Sequence, residues 1–525
     1  MLDLLIANGL VIDGTGNPGF YAGVGIKGAR IRILRGDLSM VEANRTIDAS
    51  RMIVCPGFID VHAHSGLMIL AEPEHEAKVR QGVTTELIGV DGNSYAPFFN
   101  RADFLSFVEM NAGLDGNPEL SQRWSSVAEY LMCFDNKVAI NIAYIIGNSP
   151  LRIATVGWDD KPADRNELNN MKALLREGME EGAFGLSTGL DYPPGSYADT
   201  SELIELSHEA ALLGGIYHTH TRNSLGDRFL DPVKEALEIG TKSGIPCHIT
   251  HLYHRVGHPG GGKDLLGLVE GARGNGQDVT FDCYPYLYGG TRLTILFPQW
   301  SQDGGPERFK QVLGSEEGRA RLKMDMFTRG TSYQDMWLTY FKKAHNHRFE
   351  GKSIAEASII CKKSEVDTMC DLLLDEDLQV SFVMAGVNGK TLPQFVTHPM
   401  SMVGSDALLI GDFPSPRSYG TFPTILAEYV REERHMDLPE AIRKMTSFPA
   451  QRLGILNRGL LKDNMSADVV IFDPKRVGAP ATRSEPKQFA IGINYVIVNG
   501  SIVVEDGTHT GALAGQTIRR GRNGD

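Results

Sequence analysis

Between about residue 55 and residue 458 the chain alternates short apolar runs with longer amphipathic stretches. The runs are "GFIDVH", "VTTELIGV", "VAINIAYIIG", "EGAFGLST", "GGIYHTH", "GIPCHITH", "DVTFDCY" and "MSMVGSD". Each has the length and composition of a buried strand. Segments such as "SELIELSHEAALLG" and "DPVKEALEIGTKSG" lie between them and predict helices with one apolar face. Eight strands alternating with helices predict a parallel (β/α)8 barrel of the TIM type, within the α/β class. Sites in that fold sit at the C-terminal ends of the strands.

The two ends of the chain have a different texture. Residues 1–54 read as short strands broken by Gly, Asn and Asp, in "DLLIANGLVID", "AGVGIKGARIRILRG" and "NRTIDASRMIVC". Residues 459–525 repeat that pattern in "ADVVIFDP", "INYVIVNGSIVVEDG" and "TIRRGRN", with "VNGS" as a hairpin signal. One small sheet domain assembled from both ends is the expectation. Strands seven and eight of the barrel are separated by about residues 285–400, far more than an ordinary loop. "PERFKQVLGSEEGRARLKMDMF" and "SEVDTMCDLLLDEDL" read as helices there. Such an insertion is either a lid over the active face or a stabilising decoration.

Composition narrows the setting. Hydrophobic residues at 42% and charged residues at 22% are ordinary for a globular protein, and 525 residues exceed one simple core. A net charge of −13 argues against nucleic acid or an anionic membrane as partner. The six cysteines are scattered with no CxxC pair, which suits a reducing compartment. The opening "MLDLLIANGLVIDGTG" lacks a basic flank and a cleavage site, and no apolar run approaches the roughly 20 residues of a membrane span. A cytoplasmic protein is expected, with self-association into a homo-oligomer left open.

The chemistry stands at the strand ends. His62 and His64 close the first run in "PGFIDVHAHSG", and Asp91 follows the second in "LIGVDGNS". His220 ends the fifth in "IYHTHTRN", His251 the sixth in "PCHITHL", and Asp406 the eighth in "SMVGSDA". Residues two apart on a strand share a face, so His62 and His64 can address one ion. By the same rule His218 lies a layer below His220, and His248 is expected as a hydrogen-bonded histidine packed behind the barrel. A lone Asp after a strand is usually a turn or a helix cap. Six candidate ligands on five strand ends instead describe a metal-dependent hydrolase, with Asp406 placed to take a proton from water and return it to a leaving nitrogen.

These residues, with "RQGVTTELIGVDGNSYAP", "EEGAFGLSTGLDYPPG", "DCYPY", "PRSYGTF" and "AIRKMTSFPAQRLGILNRG", resemble the N-acyl-D-amino-acid deacylase (D-aminoacylase) branch of the amidohydrolase superfamily over nearly the whole chain. The resemblance implies a zinc-dependent barrel carrying a β-sandwich formed from both termini, and cleavage of an N-acylated D-amino acid. It implies metal ligation by His62, His64, His220 and His251, catalysis by Asp406, and capture of the substrate carboxylate by Arg417, whose fork pairs two oxygens. Tyr192, Tyr284 and Tyr286 fall where the family lines its pocket.

Three departures stand out. Asp91 replaces the family cysteine, which implies looser zinc binding, tolerance of other divalent ions, and one or two ions bridged by the carboxylate. Tyr253 replaces a substrate-binding lysine, with His254 and Arg255 next along, and Asn148 replaces a histidine. These changes keep open a hydrolase of cyclic amides or of another N-acyl compound. A deaminase and a non-catalytic scaffold are the remaining alternatives.

Overall fold

The computed structural model describes residues 1–120, 124–258, 260–328 and 332–521. Its centre is a barrel of eight parallel strands: β1 (Phe58–Asp60), β2 (Val83–Ile88), β3 (Asn141–Tyr144), β4 (Gly185–Gly189), β5 (Ile216–His220), β6 (Cys247–Ile249), β7 (Val279–Cys283) and β8 (Ser401–Val403). Neighbours pair in register through Ile59↔Thr85, Ala143↔Leu87, Leu186↔Tyr217, His218↔His248, Ile249↔Phe281 and Asp282↔Met402. The ring closes between the ends of β1 and β8, where the Asp406 amide donates to the His62 carbonyl at 2.9 Å. The closure therefore joins two of the expected site residues directly.

The helices outside follow from their sequences. Thr200–Leu212 begins on Asp199, which accepts from the Glu202 amide, and buries Leu203, Leu206 and Ala210 against the barrel. Asp231–Ser243 carries Pro232 in its first turn and stops at Gly244, in the left-handed region at φ 73°.

Both ends of the chain enter the second unit. One sheet runs Arg30–Leu34, Gly23–Lys27, Leu2–Ala7, Ala43–Asp48. The other runs Thr508–His509, Ser501–Glu505, Ile493–Val498, Val469–Phe472, Ile53–Pro56, Leu10–Val11, Phe20–Tyr21, with its middle contributed from opposite ends of the sequence. Leu4, Ile6, Val24 and Ile26 of the first sheet meet Val54, Val469, Ile471 and Ile497 of the second in one apolar layer, making a β-sandwich. The "TIRRGRN" segment departs from the expectation. Thr517–Ile518 pairs with Ile142 and Ala143 of β3, and the Arg520 amide donates to the Gly182 carbonyl just before β4, so this piece seals the barrel wall.

The connection from β7 to β8 is a small unit of its own. The expected helices are present as Gly305–Gly314, Glu316–Thr328 and Glu365–Asp375. They pack with an antiparallel sheet ordered Tyr288–Arg292, Val380–Ala385, Met336–Phe341 around Leu338, Phe309, Met369 and Phe382. Among the described residues no helix is long and apolar enough to cross a membrane.

Candidate metal centre and substrate cavity

The strand ends bring the six expected ligands into one cluster. Asp91 Oδ2 lies 3.3 Å from His62 Nε2 and 3.6 Å from His64 Nε2, and equally 3.6 Å from His220 Nδ1 and from His251 Nε2. Asp406 Oδ1 stands 3.5 Å from His62 Nε2 and 3.3 Å from His64 Nε2. Two sets result, His62–His64–Asp91–Asp406 and Asp91–His220–His251, each with its ligand atoms within 4.8 Å of one another. They share Asp91.

Three of these residues leave the strands through an uncommon backbone: Asp91 has φ 53°, His251 φ 33° and Asp406 φ 47°. Left-handed turns of this kind cost on the order of 1–3 kcal/mol each and concentrate at functional sites. Asp and His tolerate the region better than most side chains. The turn lets each side chain face inward immediately past its strand. Gly189 makes room for the one at Asp91, because a Cβ there would lie 1.9 Å from the Asp91 carbonyl oxygen.

Behind the imidazoles stand carboxylates that sequence reasoning missed. His62 Nδ1 faces Asp282 at 3.3 Å, His64 Nδ1 faces Asp115 at 2.9 Å, and His220 Nε2 faces Asp191 at 3.1 Å. A carboxylate on the far nitrogen fixes the ring and makes the near nitrogen a better donor to a metal. Asp282 also accepts from the His251 amide and contacts His248 Nε2 at 3.0 Å. His248 is thus inside the barrel, stacked on His218 with ring centres 4.8 Å apart, and not packed behind it.

The donor set fits a divalent ion. Among the described residues His62 Nε2 and Asp91 Oδ1 are buried without a hydrogen-bond partner, as expected of atoms aimed at a metal. The charges converge in the same sense. Burial would raise the Asp91 pKa, but the charge of His62 and the neighbouring His220 and His251 rings hold it well below the carboxylate range. Burial opposes protonation of His62, yet Asp91, Asp282 and Asp406 push its pKa up to about 10. Such a cluster calls for positive charge at its centre.

A cavity of about 310 Å³ opens onto this cluster. Asp91, Asp406, His220 and His251 reach its wall, and Tyr192, Tyr253 and Tyr284 line it with Arg255. Gly289, Gly290, Thr291, Ile295, Met384, Ala385 and Gly386 of the insertion complete it, so the insertion contributes to the site. Tyr286 is elsewhere, and Arg417 stands behind Asp406. Tyr286 is paired with Thr424 Oγ1 at 2.9 Å and does not line the cavity. Arg417 is fully buried and turned to Asp406, with its Nη2 2.8 Å from Oδ2, over the Tyr284 ring. Asn148 donates to the Gly195 carbonyl at 2.9 Å and braces the loop carrying Tyr192.

A barrel that gathers imidazoles and carboxylates at its mouth in two sets sharing one carboxylate is the framework of a metal-dependent amidohydrolase. A model of the amidohydrolase family matches residues 316–504. D-aminoacylase of Alcaligenes xylosoxydans xylosoxydans is 34% identical to this chain, covering 99% of it and 98% of the relative. A solved structure of D-aminoacylase, reported for the functional role of its binuclear metal centre, superposes with a TM-score of 0.83 at 31% identity, over 99% of this chain and 100% of that one. N-acyl-D-glutamate deacylase from Bordetella bronchiseptica, solved with zinc and a phosphonate inhibitor, gives a TM-score of 0.84 at 31% identity and 99% coverage of both chains. The chain belongs to the N-acyl-D-amino-acid deacylase (D-aminoacylase) family of amidohydrolases.

Proposed function

We propose that this protein hydrolyses the amide of N-acyl-D-amino acids to a carboxylic acid and a free D-amino acid, with zinc held at the barrel mouth. The observation that carries the reading is the meeting of both ligand sets at Asp91 Oδ2, beside Asp406 on the wall of the cavity. His62, His64 and Asp91 would hold one ion, with Asp406 beside it, and Asp91, His220 and His251 a second. A bound zinc ion supplies Lewis acidity and brings water towards ionisation near neutral pH. A carboxylate at position 91 suits harder divalent ions better than a thiolate would.

The chain's own residues carry the protons. Asp406 accepts one from the attacking water and gives it to the departing amine nitrogen as the tetrahedral intermediate collapses. Burial would raise the Asp406 pKa, but the charges of Arg417 and His62 lower it below its usual value, which suits a base. Tyr192, Tyr253 and Tyr284 form the wall against which the substrate lies. The test is a panel of N-acyl D- and L-amino acids and cyclic amides, assayed on zinc-reconstituted protein and on chelator-treated protein. The expected result is turnover of the D-series alone, lost on chelation and restored by zinc. Preferential opening of cyclic amides, or ammonia release without a new carboxylate, would overturn the reading.

A further inference from the structure

A second cavity lies at the base of the barrel, at the end opposite the metal centre. We infer that it binds a doubly charged oxyanion on an apolar body, a phosphate monoester, whatever substrate the mouth takes. The cavity measures about 590 Å³ and lies against the entry ends of four strands, at Ile216 of β5, Pro246 before β6, Asp278 before β7 and Met400 before β8. Four arginines reach its wall: Arg273, Arg443, Arg452 and Arg520. Among the described residues Asp278 is the only acid on that wall, in a chain whose net charge is −13. Cations gathered in a concave site against the sign of the whole molecule draw anions to it.

The counter-charges present fall short. Asp278 Oδ1 serves two guanidiniums, lying 2.7 Å from Arg273 Nη1 and 3.0 Å from Arg452 Nη2. Glu440 takes Arg443 in a fork, at 2.7 and 2.8 Å. Arg520 donates to the carbonyls of Leu213 and Gly214, and no acid of the described residues stands within ion-pair distance of it. Four guanidiniums thus face two carboxylates, a surplus that matches one dianion. Burial lowers the pKa of both Arg452 and Arg520, as expected of cations short of negative charge.

The wall is also shaped for more than an inorganic ion. Phe448 lies under the Arg443 guanidinium at 4.7 Å, and Ile216, Pro399, Met400 and Leu453 continue the apolar surface. A guanidinium fork pairs two oxygens of a phosphate, and the apolar part takes the carbon body of its ester. Gly214 leaves room for Arg520, since a Cβ there would lie 2.7 Å from its Nη2. Three of the arginines belong to the helices Gly262–Gly274, Leu438–Met445 and Ser447–Leu453, and Arg520 follows the strand Thr517–Ile518. A bound dianion therefore ties that last strand to the helices around β7 and β8.

Calorimetric titration of zinc-loaded protein decides the matter, with phenyl phosphate against benzenesulfonate, which has the same ring and one charge. At about pH 8, where the phosphate ester carries two charges, wild type should bind it about 10-fold tighter than the sulfonate and melt at a higher temperature when saturated. Arg520→Gln should bring that ratio below about 3 and remove the thermal gain. Arg273→Gln, at a half-exposed position where the fold is not at stake, should do the same. Chelator-treated wild type should keep the ratio. No preference for the dianion, a ratio unmoved by both variants, or binding that disappears with the zinc overturns the assignment, the last two because they place the anion at the metal centre instead.

Discussion

The two halves of the metal cluster share Asp91 but differ in depth. His62 and His64 have side chains 0% and 2% exposed and stand away from the cavity wall. His220 and His251, at 7% and 11%, line it. The deep half is backed on both rings by buried acids, Asp282 and Asp115. In the shallow half, among the described residues, only His220 has such a backing, from Asp191, which itself lies on the wall. The difference predicts unequal halves: a buried ligand set with both rings backed by acids should hold its ion more tightly than one open to the cavity.

The largest effect should come from the residue that joins the deep half to the cavity. Asp406→Asn should lower kcat by about 10²–10⁴-fold or more, with metal content by elemental analysis near wild type. Near-normal turnover would remove the proposed role. Next is the shared ligand. Asp91→Ala should empty both halves, leaving less than one ion per chain and no turnover, whereas His251→Ala should empty only the shallow half and keep about one ion. Equal losses in the two variants would erase the distinction between the halves. The backing acids come third. Asp282→Asn should weaken affinity for the deep ion by about 10–100-fold, and Asp191→Asn should weaken only the shallow one, as read by competition with a chelator. The smallest change is Asp91→Cys, expected to slow zinc loss to a chelator and reduce activation by harder ions such as manganese. Unchanged ion selectivity would show that position 91 does not set it.

Much of this was legible in the sequence, because the barrel repeats one pattern and the ligands recur at one phase of it. All eight apolar runs are strands, and His62, His64, Asp91, His220, His251 and Asp406 meet in space. The supporting acids were not legible. Asp115 ends the helix Arg101–Asp115, far from any strand end, and reaches His64 only through the packing of that helix. His248 was misplaced because strand alternation was counted through to His251. The strand stops at Ile249, and the left-handed turn at His251 resets the phase, so both histidines face inward. Tyr286 shows a limit of motif reasoning of another kind. A motif fixes where a backbone lies, while the partner a side chain takes depends on residues such as Thr424 that the fold brings to it.

The strand Thr517–Ile518 carries a consequence for assembly. It finishes the wall beside β3, and Gln516 reaches back 375 residues to Asn141. Contacts spanning such distances form slowly, since so much chain must be ordered before they contribute. Until that piece docks, β3 presents a bare edge at the base of the barrel, open to stray pairing with other polypeptides. A shortened chain lacking it would be expected to aggregate before it lost any atom of the catalytic mouth.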